Sequence, residues 1–170
     1  MGGRGILILS MLKLSIAMKP GFVKGIIRLI GLIGLIGLIG LISQIGPIIE
    51  INGHRWQVEV ADQPKEQERG LSNRRRLARD QGMLFIFSQP GNYGFWMKDM
   101  NFPLDFVWIS GDRVAGVTEN VQPPNLLTSD VSQLPLYYPP EAVDKILELN
   151  AGNVEKYGIK IGDSVVLKLK

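Results

Sequence analysis

An indole and an ammonium stand two residues apart in Phe95-Trp96-Met97-Lys98, with Asp99 beside them and Asp105 following in Pro103-Leu104-Asp105. On an extended chain successive side chains alternate, so Phe95 and Met97 share one face and Trp96 and Lys98 the other. One face then packs a core. The other presents an aromatic plate next to a cation, with Asp99 and Asp105 near in sequence. An exposed tryptophan among charges is a common contact for sugars and peptides. The plainer role is that Trp96 covers the edge of the core and Lys98 pairs with an acid. A second group, Glu68 and Arg69 with Arg74, Arg75 and Arg76, could hold an anion through guanidinium forks. Its plainer role is a solvated helix end and loop.

The candidate ligand-binding residues are therefore Arg69, Trp96, Lys98 and Asp105, with Glu68, Arg74, Phe95, Met97 and Asp99 around them. No catalytic residue is assigned. Paired carboxylates, Asp99 with Asp105 or Glu119 with Glu148, would serve a hydrolase, but nothing in the sequence fixes their separation. His54 is the single histidine. It lies in Asn52-Gly53-His54, ahead of the first expected strand, a poor place for a triad base. Cysteine is absent, which removes thiol nucleophiles, disulfides and thiolate zinc sites. Neither a metal nor a cofactor is expected.

These residues need a frame. Residues 55–60, Arg-Trp-Gln-Val-Glu-Val, alternate as a half-buried strand does. Asp62 offers a helix cap and Pro64 suits the first turn; that helix should run to about Glu68 and stop near Gly70. Gly82 to Ser88 reads as a buried strand, and Gln89 to Asn92 as a turn. Residues 93–98 and 104–109 read as two further strands. Gly111-Asp112 marks a hairpin leading to a strand near 113–121. The prolines of 122–140 mark a long loop. Lys145 to Leu149 is a strand. Asn150 can cap a short helix through Tyr157, with Gly158 as its stop. Ile159 to Asp163 turns into a last strand. The sum is an α+β domain of about seven short strands and two short helices, a sandwich or partly open barrel.

The N-terminal part differs. Residues 29–49 are 21 residues without a charge, long enough to cross a ~30 Å hydrocarbon core as a helix. Arg4, Lys13, Lys19, Lys24 and Arg28 precede or open this run, and no further cation appears until Arg55. By the positive-inside rule the N-terminus stays in the cytoplasm. The expected order is a basic leader (1–28), an anchor in the lipid bilayer (29–49), a linker (50–54) and an extracytoplasmic domain (55–170). A cleaved signal segment, leaving a secreted or periplasmic protein, is the alternative. Translation could start at Met1, Met11 or Met18. Gly31, Gly34, Gly37 and Gly40 recur every third residue, a spacing that drifts around a helix and makes no packing stripe. Residues 50–170 hold 14 basic and all 16 acidic residues. The basic balance thus belongs to the leader, and nucleic acid is not an expected partner.

Taken in order, Gln67-Glu68-Arg69-Gly70-Leu71, Gly82-Met83-Leu84-Phe85-Ile86-Phe87, Phe95-Trp96-Met97-Lys98 and Pro103-Leu104-Asp105 resemble a bacterial and archaeal family known as domain of unknown function 192. Leu147-Glu148-Leu149-Asn150-Ala151-Gly152 and Gly158-Ile159-Lys160-Ile161-Gly162-Asp163 fit the same pattern, and the resemblance covers about 56–169. It implies a compact β-rich domain, often behind a signal or anchor, and no activity. Two departures stand out: Ser72 occupies a position where members often carry Met, and Leu126 to Leu136 lacks the cysteines that many carry.

These readings converge on a membrane-anchored extracytoplasmic module that binds an envelope ligand or partner. An envelope hydrolase using carboxylates near Asp105, and a structural component of a membrane complex, are the alternatives.

Overall fold

The computed structural model describes residues 46–124 and 134–169. The expected leader, and the expected anchor up to Ile45, lie outside these residues, as does most of the stretch from Leu126 to Leu136. Gly46–Lys170 forms one compact unit. Its elements in chain order are β1 (Ile48–Ile51), β2 (His54–Ala61), α1 (Pro64–Arg69), β3 (Gln81–Gly91), β4 (Leu104–Ser110), β5 (Arg113–Val121), β6 (Val143–Asn150), α2 (Asn153–Tyr157) and β7 (Val165–Lys168).

The seven strands make one sheet in the order β5-β4-β6-β3-β2-β1-β7. All neighbours are antiparallel except β2 and β3, which run parallel with Val58 opposite Gly82. A parallel pair needs a crossover, and α1 with the loop after it supplies one. The sheet curls into a half-barrel. Its two edges approach through a bridge between Arg113 and Ser164, supported by Val114 N–H donating to Asp163 O at 2.9 Å and Val165 N–H to Asp112 O at 2.8 Å. Curling brings together edge groups that would otherwise be left unpaired.

The centre of the sheet is covered on both faces, so β4 and the second half of β6 are buried on both sides. Trp56, Leu84, Val107, Leu147 and Leu149 form a cluster on one side. Phe85, Phe106, Trp108, Ile146 and Leu71 build a second cluster on the other side. The buried indoles keep their N–H groups satisfied: Trp108 donates to Thr118 Oγ1 at 2.8 Å and Trp56 to Asn153 Oδ1 at 3.3 Å.

The structure departs from the sequence reading in six places. Ile48 and Ile49, read as the end of the anchor, open β1, and Ile49 is fully buried. Residues 50–54, read as a linker, complete β1, turn at Asn52-Gly53 and begin β2. The cap of α1 is Gln63 rather than Asp62, because Glu66 reaches back to accept the Gln63 N–H at 3.3 Å. Gln89, Pro90 and Gly91 extend β3 instead of turning. Residues 93–98 form no strand of the sheet; a single bridge joins Phe95 to Tyr137. Asn150 ends β6, and Gly152, with φ 85°, precedes α2. The Asn150 amide instead donates to the carbonyls of Leu77 and Ala78.

Candidate functional site

One cleft gathers most of the candidate residues. It lies between the end of α1 with the turn after it (Gln67 to Ser72) and the segment from Gly94 to Lys98, with Phe85 and Met100 on its walls and Glu148 of β6 at its floor. The first wall is held from below. Gln67 Nε2 donates to Ile86 O at 2.8 Å and to Ala61 O at 3.3 Å, which pins α1 across β2 and β3. The two walls are then tied to each other. Ser72 Oγ donates to Lys98 O at 2.9 Å, Asn73 N–H to Asp99 O at 2.8 Å, and Asn101 Nδ2 to Arg74 O at 2.9 Å. Ser72, where the family often has Met, thus has a structural job in this chain.

The segment behind the second wall is wedged by Phe95. Its ring meets Phe85 edge-on at 4.8 Å and lies 6.0 Å from both Phe106 and Trp108. The alternation read from the sequence survives without a full strand. Met97 is buried in the core, whereas Trp96 is 41% exposed. Lys98 Nζ sits 5.9 Å from the Trp96 ring centre, a cation–π approach. The bridge from Phe95 to Tyr137 sets Leu136 and Tyr138 beside this segment, both exposed. Gly94 is needed for this packing, since a Cβ there would come within 2.8 Å of the Tyr138 ring.

The most unusual group in the cleft is Glu148. It is 5% exposed, and its Oε2 has no hydrogen-bond partner among the described residues. Burial pushes its carboxyl up to about 8, against a smaller opposing pull from Arg74. Near neutral pH it is therefore an uncharged acid with an O–H to give. Arg74 does not line the cleft. Its guanidinium forks onto both Glu59 oxygens, which draws the Glu59 carboxyl below its usual range and raises Arg74.

The cleft brings together Glu68, Arg69, Phe95, Trp96 and Lys98 of the expected set. It leaves out four. Met97 is core. Asp99 sits at an exposed turn with φ 55°. Arg74 acts on the floor only at a distance. Asp105 is fully buried elsewhere: its two oxygens accept the backbone N–H groups of Asn120 at 2.8 Å and Val154 at 2.9 Å. It braces the backbone and does not line the cleft, and the acid pair imagined with Asp99 does not assemble there. Sequence reasoning gave Glu148 no place among the ligand-binding residues. Its signal was an acid inside the run Ile146-Leu147-Glu148-Leu149, where a strand covered on both faces has no solvent side for it.

The cleft as a whole holds a cavity of about 70 Å³, roughly five water-sized positions. It suits a small polar group, not a whole sugar ring. Outside it, Trp96 supplies an exposed plate.

The family model DUF192, described as "Uncharacterized ACR", matches residues 47–167. A crystal structure of a Novosphingobium aromaticivorans DSM 12444 protein of unknown function is similar, at 28% identity and a TM-score of 0.63, over 70% of this chain and 83% of that one. So is a Sinorhizobium meliloti 1021 protein, named only provisionally as a transcription regulator, at 31% identity and 0.63 over 71% and 92%. A comparison with curated proteins finds no match.

Proposed function

The chain belongs to the domain of unknown function 192 family, and from that premise we propose that it is a binding module held outside a cytoplasmic membrane by its apolar N-terminal segment. The observation that carries the binding reading is Glu148: a buried acid with an unpartnered oxygen, on the floor of a cleft rimmed by Arg69, Lys98 and Trp96. A group of that kind is costly to bury, which marks it as a candidate for contact with a ligand.

The anchor reading rests on sequence. With Ile48 and Ile49 claimed by β1 and Gly46 and Pro47 part of the same compact unit, the uncharged run ahead of it is 17 residues, Leu29 to Ile45. That is the lower end of the spanning range, and Arg28 can snorkel to the headgroups. The charge asymmetry then sets residues 46–170 outside. With 14 basic and 16 acidic residues after residue 49, the domain has a slight net negative charge, which does not favour a role on nucleic acid.

The test is ligand identification by thermal shift with cell-wall fragments and small anions. Trp96→Ala and Arg69→Ala serve as controls. A hit on the wild type that both variants lose supports the cleft. If the hits survive in both variants, the ligand sits elsewhere on the domain.

A further inference from the structure

Taking the cleft as a binding site, as proposed above, we infer that it holds the carboxylate of a small monocarboxylate ligand, with the Glu148 carboxyl as donor and Arg69 and Lys98 as flanking cations.

Shape, charge and donor chemistry agree on this. The cavity of about 70 Å³ has room for a carboxylate and a short carbon stem. Phe85, Phe95 and Met100 line it for the apolar part. Neither Arg69 nor Lys98 forms an ion pair within 4.0 Å among the described residues. Glu68 is the opposing charge at the cleft and is exposed. Glu148 Oε2 meets no hydrogen-bond donor among the described residues that would hold it as a carboxylate. Opposite it on the neighbouring strands stand Met83 and Phe106, neither titratable. Glu68 and Arg69 of α1 and Lys98 share the cleft with it, and the charge that acts on its carboxyl is Arg74, itself paired with Glu59 of β2. A neutral acid supplies one O–H donor, and a ligand carboxylate is the acceptor that satisfies it. The resulting O–H···O⁻ bond is of the short, charge-assisted kind.

The sign of the pH response separates this ligand from a cationic one. Glu148 is neutral below about 8, so binding of an anion weakens as it ionises. Between pH 6.5 and 9.5 its neutral fraction falls about 30-fold, and affinity should fall with it.

The experiment titrates the full chain in detergent micelles with propionate, propionamide and propylamine at both pH values. Melting temperature and Trp96 fluorescence are the readouts. Propionate should bind, propylamine should not, and propionate affinity should drop by about 30-fold at the higher pH. Glu148→Gln keeps an N–H donor. It should retain propionate binding at pH 6.5 and vary by less than about threefold between the two conditions. Propionate binding in the wild type that ignores pH, or that Glu148→Gln leaves equally pH-dependent, overturns the role of Glu148. Preferential binding of propylamine, tighter at pH 9.5, overturns the carboxylate assignment while the cleft stands as a site. Silence of all three probes also overturns it. Silence of the cell-wall and anion screen as well removes the binding reading too.

Discussion

The Asp105 carboxylate accepts the backbone N–H of Val154 at 2.9 Å, 49 residues away in sequence. Its other oxygen accepts the N–H of Asn120, a residue held at φ 51°. One buried side chain thus fixes the start of α2 and the end of β5 to β4. Replacing Asp105 by Ala leaves two backbone donors without their acceptor. At about 1–3 kcal/mol for each buried unsatisfied group, the loss should be roughly 3 kcal/mol. Urea unfolding of Asp105→Ala measures it. A loss under about 1 kcal/mol would return Asp105 to the list of functional residues.

Glu148 should give the domain a stability that falls with pH. Its carboxyl stands near 4.5 when unfolded and about 8 when folded, so the native state holds the extra proton between those values. Stability is then fully present below about 4.5, declines as pH rises towards 8, and levels off above it. The whole step is on the order of 5 kcal/mol. Glu148→Gln should flatten that slope and be the more stable protein at pH 8.5. Denaturant melts across pH 5–9 check both points. Parallel slopes in the two proteins would mean that Glu148 ionises freely in the native state.

Arg74 sits between two acids and treats them differently. It lowers Glu59 through a direct fork and pulls Glu148 down only through space. Removing it should therefore move Glu148 further up, and the pH at which stability levels off should rise with it. The direct pair is half exposed, so its own coupling in a Glu59/Arg74 double-mutant cycle should stay below about 1 kcal/mol. NMR titration of the Glu148 side-chain carboxyl in wild type and Arg74→Ala reads the shift. An unchanged or lower midpoint in the variant would show that Arg74 has no reach to the cleft floor.

The fold and the cleft were legible to different degrees. Alternation in Arg55 to Val60 and the Gly111-Asp112 turn announced β2 and the β4–β5 hairpin because both are local signals. The parallel pairing of β2 with β3 was not local, since it depends on where the crossover lands. Ile48 and Ile49 were misread for a related reason. An apolar run does not say whether protein or lipid surrounds it, and here β2 and β7 do. Of the cleft, Arg69, Trp96 and Lys98 were visible as exposed chemistry on a β-rich chain. Glu148 was legible only as an acid that could pair with Glu119, because the covering of β6 on both faces is not a local signal. Asp105 misled because a buried acid that braces backbone looks, in sequence, like one that waits for a ligand.

Trp96 is the residue on which the plain and the functional roles part most clearly. If it covers the edge of the core, truncating it should cost what a buried aromatic costs, about 3 kcal/mol or more. If it is a plate for a ligand, its 41% exposure and its place outside the aromatic wedge around Phe95 should limit the loss of Trp96→Ala to about 1 kcal/mol. Fluorescence adds an independent reading. Trp56 and Trp108 are buried to within 1%, so the acrylamide-accessible emission should come from Trp96 and vanish in Trp96→Phe. The binding role requires both results together. A loss near 3 kcal/mol would assign Trp96 to the core and leave Arg69 and Lys98 to hold the ligand without it.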